Sequence, residues 1–366
     1  MDFKSLRSRP LKLKYARIRR NYSGGLLLEE WQNNPDAADG NWPEEWVAST
    51  VEARDTNSAV NEGLSLVDSG ENSGLFLRDV IKSDPAGFLG EDHAKKYHTD
   101  TAVLVKIIDS CRRLFLQVHP DRDFAKTVFN SDFGKTEAWY ILGGRSVEGR
   151  EPYILLGFKK GITKEVWTQL FKKQDVEGMI NALHRFPIKP GDIFFIESGM
   201  PHALGAGCFL LEVQEPTDLT FRVERTTPEG KMLPDSFCHQ GAGFEKMLDC
   251  FHYDTYTREE ILSKWHLKPT ILETQEGGVR TSLISSEYSP YFSMEKLEVT
   301  ETFRSKEESA LRVAVVLSGQ GKLLWDNHEM AIKQADELFL PAGLKDILWQ
   351  SENKSKLEVV ICHPPK

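Results

Sequence analysis

Two histidines, a glutamate and a glutamine stand in this sequence where a metal ion could use them. The run Leu114-Phe-Leu-Gln-Val-His-Pro120 reads as a strand that Pro120 ends. Side chains alternate across a strand, so Gln117 and His119 project to one face while Leu116 and Val118 project to the other. Glu137 follows in Gly134-Lys-Thr-Glu-Ala-Trp-Tyr140, a turn feeding an aromatic strand, and His202 lies in a Gly-x-x-His turn that begins at Gly199. Two imidazoles, one carboxylate and a weakly bound amide leave a coordination position for water or substrate, which a catalytic zinc site needs. Singly, each residue has a plainer role: a packed strand histidine, a surface carboxylate, a buried amide that satisfies the backbone. Only the four together point to a metal.

Two further charges interrupt apolar strands. Glu212 does so in Cys208-Phe-Leu-Leu-Glu-Val-Gln214, and Arg222 in Thr220-Phe-Arg-Val-Glu224. Burying either one unpaired is costly. Either they form an ion pair across neighbouring strands, or they serve a cavity as acid–base or oxyanion-stabilising groups.

The elements that must position these residues are mostly short strands. Segments 102–108, 114–119, 138–142, 153–158, 193–196, 208–214 and 220–224 are aromatic or β-branched runs bounded by Gly, Pro and Asp. Helical spacing is expected over about 75–98, interrupted by Pro85, over 163–184, and again over 243–265. Residues 26–75, rich in Asn, Asp, Gly and Glu, read as irregular structure around short elements. An internal repeat organises the rest. Lys189-Pro-Gly-Asp-Ile-Phe-Phe-Ile-Glu-Ser-Gly-Met-Pro-His-Ala-Leu204 aligns without a gap on Lys333-Gln-Ala-Asp-Glu-Leu-Phe-Leu-Pro-Ala-Gly-Leu-Lys-Asp-Ile-Leu348, matching at Lys189/Lys333, Asp192/Asp336, Phe195/Phe339, Gly199/Gly343 and Leu204/Leu348. The expected fold is mainly β with helical insertions: two cupin or jelly-roll β-barrels, the second lacking metal ligands because Asp346 stands where the first has His202. The domains expected are 1–242 with the metal, a helical connection at 243–265, and 266–366.

A net charge of −9 supplies no field for a nucleic acid or an anionic membrane surface. No apolar run approaches the roughly 20 residues that cross a bilayer. The basic stretch Lys12 to Arg20 lacks the apolar core and cleavage site of a signal peptide. Five scattered cysteines without a CxxC pair suit reduced thiols, hence a cytoplasmic location.

At these residues the sequence resembles the class I mannose-6-phosphate isomerases. The resemblance is carried, in the family's order, by Leu104-Val-Lys-Ile-Ile-Asp109, Gln117-Val-His-Pro-Asp121, Gly134-Lys-Thr-Glu-Ala-Trp-Tyr140, Gly191-Asp-Ile-Phe-Phe-Ile196, His202-Ala-Leu-Gly-Ala-Gly207 and Thr220-Phe-Arg-Val223. Fainter echoes at Pro10-Leu11, Gly24-Gly25, Glu45-Trp46 and Leu75 to Gly90 extend it over nearly the whole chain. It implies one Zn²⁺ per chain, or another divalent metal, on Gln117, His119, Glu137 and His202. It implies active-site roles for Lys135, Glu212 and Arg222, with Arg222 the residue usually assigned to catalysis. The implied reaction interconverts mannose 6-phosphate and fructose 6-phosphate through an enediol, with a metal polarising the carbonyl. The implied partner is a small sugar or sugar phosphate, not a nucleic acid or a membrane. The general base stays open among Glu212, the two histidines and Lys135.

The sequence departs from the family at three places, the first of them where a serine helps to hold the substrate phosphate. Phe115 replaces a serine two residues before the glutamine, Tyr22-Ser23-Gly24-Gly25 replaces Trp-Gly-Gly, and Glu197-Ser198-Gly199 replaces Pro-Ala-Gly. By alternation Phe115 shares a face with Gln117 and His119, which puts a ring at the cavity wall and weakens dependence on the 6-phosphate. Lys231 or Arg225 would compensate, a neutral sugar would be the substrate, or the phosphate would bind elsewhere on the rim. Two other readings are a non-catalytic sugar-binding regulatory cupin protein and a cupin oxygenase carrying iron or copper.

Overall fold

In the computed structural model, residues 3–54, 59–68, 73–227, 230–305, 308–352 and 355–366 are described. The fold is mainly β with short helices. Strands form at Leu104–Ser110, Gln117–Val118, Glu137–Gly144, Tyr153–Lys159, Ile193–Ile196, Cys208–Gln214 and Phe221–Arg222, where the alternation places them.

Four sheets stack in layers. A seven-stranded sheet carries Glu44–Val47, Leu104–Ser110, Cys208–Gln214, Glu137–Gly144 and Ile193–Ile196 side by side. A six-stranded sheet carries Phe221–Arg222, Gln117–Val118, His202–Leu204 and Tyr153–Lys159. The space between these two sheets is apolar along one stretch of the strands, with Ile108, Leu156, Leu204 and Leu210. It turns polar two residues further along, at Lys106, Glu212, Glu137 and His202, all buried. Outside the six-stranded sheet, Val118, Leu155, Phe158 and Phe221 pack on Trp167, Phe171, Met179 and Met247 of the helices. Outside the seven-stranded sheet, Val105, Ile107, Leu211 and Val213 share a core with Val313, Val315, Phe339 and Val360 of an eight-stranded sheet. That third sheet and a four-stranded fourth enclose a largely apolar core around Phe303, Leu323 and Trp349.

The repeat is visible in the backbone. Ile193–Ile196 and Glu337–Leu340 occupy aligned positions. In front of each, the Asp carboxylate accepts from the Lys N–H (Lys189 to Asp192 and Lys333 to Asp336, both 3.0 Å). Gly191 and Ala335, one residue before each Asp, both adopt positive φ, 92° and 69°. The likeness fades beyond the strand, because Gly199 has φ 81° while Gly343 is not among the positive-φ glycines.

Several elements differ from their expected form. The stretch 75–98 is three helices, Leu77–Ser83, Pro85–Leu89 and Glu91–Tyr97, and Pro85 opens the second, capped by Asp84. The 163–184 helix is Lys164–Lys173 and Val176–Asn181, after which Leu183 begins a strand, Leu183–Pro187. The 243–265 stretch is two helices, Phe244–Asp249 and Arg258–Trp265, with a parallel strand Thr255–Tyr256 between them. Glu44–Val47, in a stretch read as irregular, is a fully buried strand. Leu11–Lys14 pairs with Glu337–Leu340 and with Leu66–Val67, so early residues complete the eight-stranded sheet. No helix among the described residues is long and apolar enough to cross a membrane.

Candidate metal centre and active site

His202 opens the strand His202–Leu204, paired directly opposite Gln117, and His119 follows the strand Gln117–Val118. Glu137 begins the strand Glu137–Gly144 of the facing sheet. The turn before it depends on Gly134, where a Cβ would lie 2.6 Å from the Pro120 carbonyl oxygen. That close approach lets the Lys135 N–H donate to Pro120 (2.9 Å), which ties Lys135 and Glu137 to the strand of His119.

The three side chains converge. His119 Nδ1 lies 3.0 Å from the Leu219 carbonyl and His202 Nδ1 lies 2.8 Å from the Met200 carbonyl. A carbonyl only accepts, so each Nδ1 carries the proton and each Nε2 turns a lone pair inward, that of His119 towards the Lys135 ammonium at 2.9 Å. The two Nε2 atoms are 3.2 Å apart, and lie 3.2 and 3.4 Å from the Glu137 oxygens. All three residues are almost wholly buried. Neither Glu137 oxygen accepts a hydrogen bond, and its nearest positive charge is the Lys135 ammonium, 3.0 Å from Oε2. Two imidazole lone pairs and a buried carboxylate converge on one point with the Lys135 ammonium at their edge, and this is a donor set that a divalent metal takes. The residues therefore fit a divalent metal. Among the described residues no other group of three His, Cys, Asp or Glu does so. Gln117 Nε2 is 3.2 Å from His202 Nε2, and an amide flip presents its oxygen to the same point.

Electrostatics keep these groups in the form that binds a metal. Burial first, and then the Lys135 ammonium, push the His119 pKa down to about 3, so the ring stays neutral. Burial opposes the charge of Glu137, yet Lys135, His119 and His202 together outweigh it and hold the carboxyl well below its usual range.

The centre borders a cavity lined by Lys106, Phe115, Gln117, Lys135, Glu212 and Arg222, with Arg20, Tyr22, Glu44, Asp218 and Phe237 completing the wall. Glu212 and Arg222 do not pair with each other. Sheet order puts Glu212 directly opposite Lys106, with Oε1 3.2 Å from Lys106 Nζ, while Trp139 Nε1 donates to Oε2 at 2.9 Å. Burial, and then the charge of Glu137, raise the Glu212 pKa. Arg222 instead lies over the Phe237 ring at 4.2 Å and donates to the Phe237 carbonyl. Sequence reading missed Lys106, although a lysine within Leu104–Ser110 carries the same signal as Glu212, a charge inside a buried strand. It also missed Arg20, which pairs with Glu44 and Asp218 at 2.9 and 3.2 Å. Arg20 is placed by Gly24, where a Cβ would sit 1.9 Å from the Asp109 carbonyl oxygen, and by the Asp109 carboxylate, which accepts from Gly25 and Leu27. Phe115 lines the cavity together with Gln117, as alternation implies. Arg225 is held by Asp235, and neither it nor Lys231 lines the cavity.

The chain is 30% identical over 311 residues to the probable mannose-6-phosphate isomerase GmuF of Bacillus subtilis, covering 84% of this chain and 87% of that one. The chain belongs to the mannose-6-phosphate isomerase family. Another relative, a mannose-6-phosphate isomerase of Streptococcus mutans, is 28% identical over 84% of this chain and 86% of its own. No family model matches the sequence. Among solved structures, the mannose 6-phosphate isomerase of Bacillus subtilis superposes with a TM-score of 0.74 at 23% identity, covering 97% of this chain and 99% of that one. A zinc-bound mannose 6-phosphate isomerase superposes with a TM-score of 0.72 at 13% identity, over 98% of this chain and the whole of that one. These structures show that the fold is the cupin-like fold of mannose-6-phosphate isomerases.

Proposed function

We propose that the protein is a zinc-dependent aldose–ketose isomerase interconverting mannose 6-phosphate and fructose 6-phosphate through an enediol. The observation that carries this is the convergence of two inward-facing imidazole lone pairs and a buried carboxylate beside a cavity walled by charged groups. His119, Glu137 and His202 would hold the Zn²⁺, with Gln117 as a fourth, weaker ligand. When bound, the ion supplies Lewis-acid polarisation of the sugar carbonyl and stabilises charge on the neighbouring oxygens.

The chain's own groups do the rest. Glu212 is fixed by Trp139 and Lys106 at the cavity wall, and its raised pKa suits a carboxylate that takes a proton from one sugar carbon and returns it to the next. The guanidinium of Arg222 and the ammonium of Lys135 face the same cavity and stabilise the negative charge of the enediolate. Phe237 and the carbonyls of Thr220 and Phe237 hold Arg222 in place.

The facing pairs of sheets support two cupin barrels, 1–242 and 266–366, joined by 243–265. Leu11–Lys14 and Leu66–Val67 are lent by the first to the second. The second has a largely apolar interior and no ligand set among its described residues.

The test is coupled-assay turnover in both directions with zinc-loaded and chelator-stripped protein. Conversion that depends on the metal is expected. Sugar-phosphate binding without conversion by the loaded protein would instead select a non-catalytic binding protein.

A further inference from the structure

Glu137 of the candidate metal centre has a counterpart in the second pair of sheets, and its charge is reversed. Aligning Lys189 with Lys333 puts Ile196 on Leu340. Ile196 pairs with Glu137, the first residue of the strand Glu137–Gly144. Leu340 pairs with Arg312, the first residue of the strand Arg312–Ser318. The match continues one strand further, where Val213 pairs with Ala138 in the first sheet and Cys362 with Val313 in the third. Arg312 therefore holds the place in the second sheet pair that the metal-facing carboxylate holds in the first.

The Arg312 side chain turns into the space between its two sheets, because Ala314 and Val316, at alternate positions of the same strand, belong to that core. It is 3% exposed, and a guanidinium cannot shed its charge there. Its partners are poor. Nε is buried without an acceptor, and Nη2 donates only a long bond, 3.4 Å, to the Leu344 carbonyl. Among the described residues no carboxylate forms an ion pair with it, since Glu295 is engaged by Arg280 and His363, at 3.5 and 3.6 Å. Burial lowers the Arg312 pKa, and the charges of Glu308 and Glu295 offset that only in part. A cation buried in this state is costly, and an oxyanion beside it relieves the cost. His363, one residue beyond the Val313–Cys362 pair on the neighbouring strand, also has a buried Nε2 without a hydrogen-bond partner. The side chains of Arg280, Glu295 and His363 are 15–21% exposed, so a small solute reaches this end of the sheets.

We propose that Arg312 is the centre of an oxyanion site that takes the phosphate or carboxylate group of a small metabolite. A planar guanidinium offers Nε and an Nη as parallel donors, which match two oxygens of either group at once. His363 adds a third donor when its Nε2 carries the proton. Glu295 does not close the site to anions, because Arg280 and His363 already neutralise it. Where the first pair of sheets presents a carboxylate to a cation, the second presents a guanidinium to an anion.

The test titrates inorganic phosphate and, separately, acetate into the zinc-loaded full chain, as wild type, Arg312→Met and Arg312→Lys. Isothermal titration calorimetry and thermal unfolding are the readouts. Anion binding at the metal centre is common to all three proteins, so the new site is the event that Arg312→Met lacks. One bound anion per chain should be lost in Arg312→Met, and the rise of Tm with anion should shrink. Without anion, Arg312→Met should unfold at a higher Tm than wild type, because it no longer buries an unpaired charge. Arg312→Lys, which keeps the charge and loses the fork, should bind about 10–100-fold more weakly. The more tightly held probe names the ligand's acidic group. Equal stoichiometry, with affinities within twofold, for both anions in wild type and Arg312→Met would overturn the proposal. Should Arg312→Met fail to fold, Arg312→Lys decides alone: a loss of about tenfold or more at one site supports the proposal, and affinities within twofold of wild type refute it.

Discussion

Replacing Glu337 by Gln should stabilise the protein above neutral pH and flatten its stability profile between pH 5 and 8. Glu337 starts the strand Glu337–Leu340, is 1% exposed, and neither of its oxygens accepts a hydrogen bond. Its neighbour across the sheets is Glu45, fully buried, which accepts from the Ala16 N–H and from Gln32 and is paired with Arg17 at 3.1 Å. Asp336, paired with Lys12 at 2.6 Å, and Tyr15 complete the group. Burial raises the Glu45 pKa from 4.5 to about 7 despite Arg17, and burial and then Glu45 raise that of Glu337. A carboxyl whose folded pKa exceeds its unfolded one holds its proton more tightly in the folded state. Its stabilisation is therefore full below about pH 4.5 and is lost as pH rises through about 7. A shift of about 2.5 units at Glu45 amounts to about 3 kcal/mol by pH 8. The lowered carboxyls have the opposite sign but act elsewhere: Glu44, held down to about 2, matters only in acid. Thermal unfolding from pH 5 to 8.5, with and without chelator, measures the effect. A wild-type profile that is flat or rises over that range, or a Glu337→Gln profile as steep as wild type, would refute the reasoning.

Other outcomes follow from the same geometry. His119→Ala removes one of three strong ligands, so bound zinc measured by mass spectrometry should fall well below one per chain and kcat/KM by about 100-fold or more, while circular dichroism stays close to wild type. Gly24→Ala would place a methyl against the Asp109 carbonyl and should cost about 1–3 kcal/mol, seen as a lower Tm, with weaker substrate binding because Arg20 and Tyr22 shift with the backbone. Asp346→Ala, at an exposed position with φ 40°, should leave turnover unaltered and lower stability by about 1 kcal/mol, the cost of alanine in a left-handed backbone.

The convergence of His119, Glu137 and His202 was legible because it follows from local rules: strand alternation, a proline stop, and residue types that bind metals. The partner of Glu212 was not. Which residue lies opposite a strand charge depends on sheet order, and here Leu104–Ser110 rather than Phe221–Arg222 lies beside Cys208–Gln214. Arg20 and Asp218 come from segments without periodicity and reach the cavity only through the tight approach at Gly24 and the turn after Gln214. Glu44–Val47 escaped notice because two glutamates do not mark a buried strand until Arg20 and Arg17 are seen to meet them. Leu183 fitted the spacing of the preceding helix, yet the antiparallel partner Tyr153–Lys159 draws it into a strand. The match of Lys189 and Asp192 with Lys333 and Asp336 needed no tertiary information, since each pair closes a hydrogen bond three residues apart.

The strand Leu11–Lys14 has a consequence for how the chain is made. Its hydrogen-bonding partner on one side is Leu66–Val67, but on the other it is Glu337–Leu340, so Leu11 must wait for Phe339. At about 5–20 residues per second, a ribosome takes on the order of tens of seconds to supply it. Throughout that interval one edge of an apolar strand pair is open, an invitation to pair with another chain. The lysines at 12 and 14 that alternate with Leu11 and Leu13 are the residue type that discourages such pairing. Synthesis of the final strands then seals the molecule from both ends at once, and neither half can be cut away without unzipping the other.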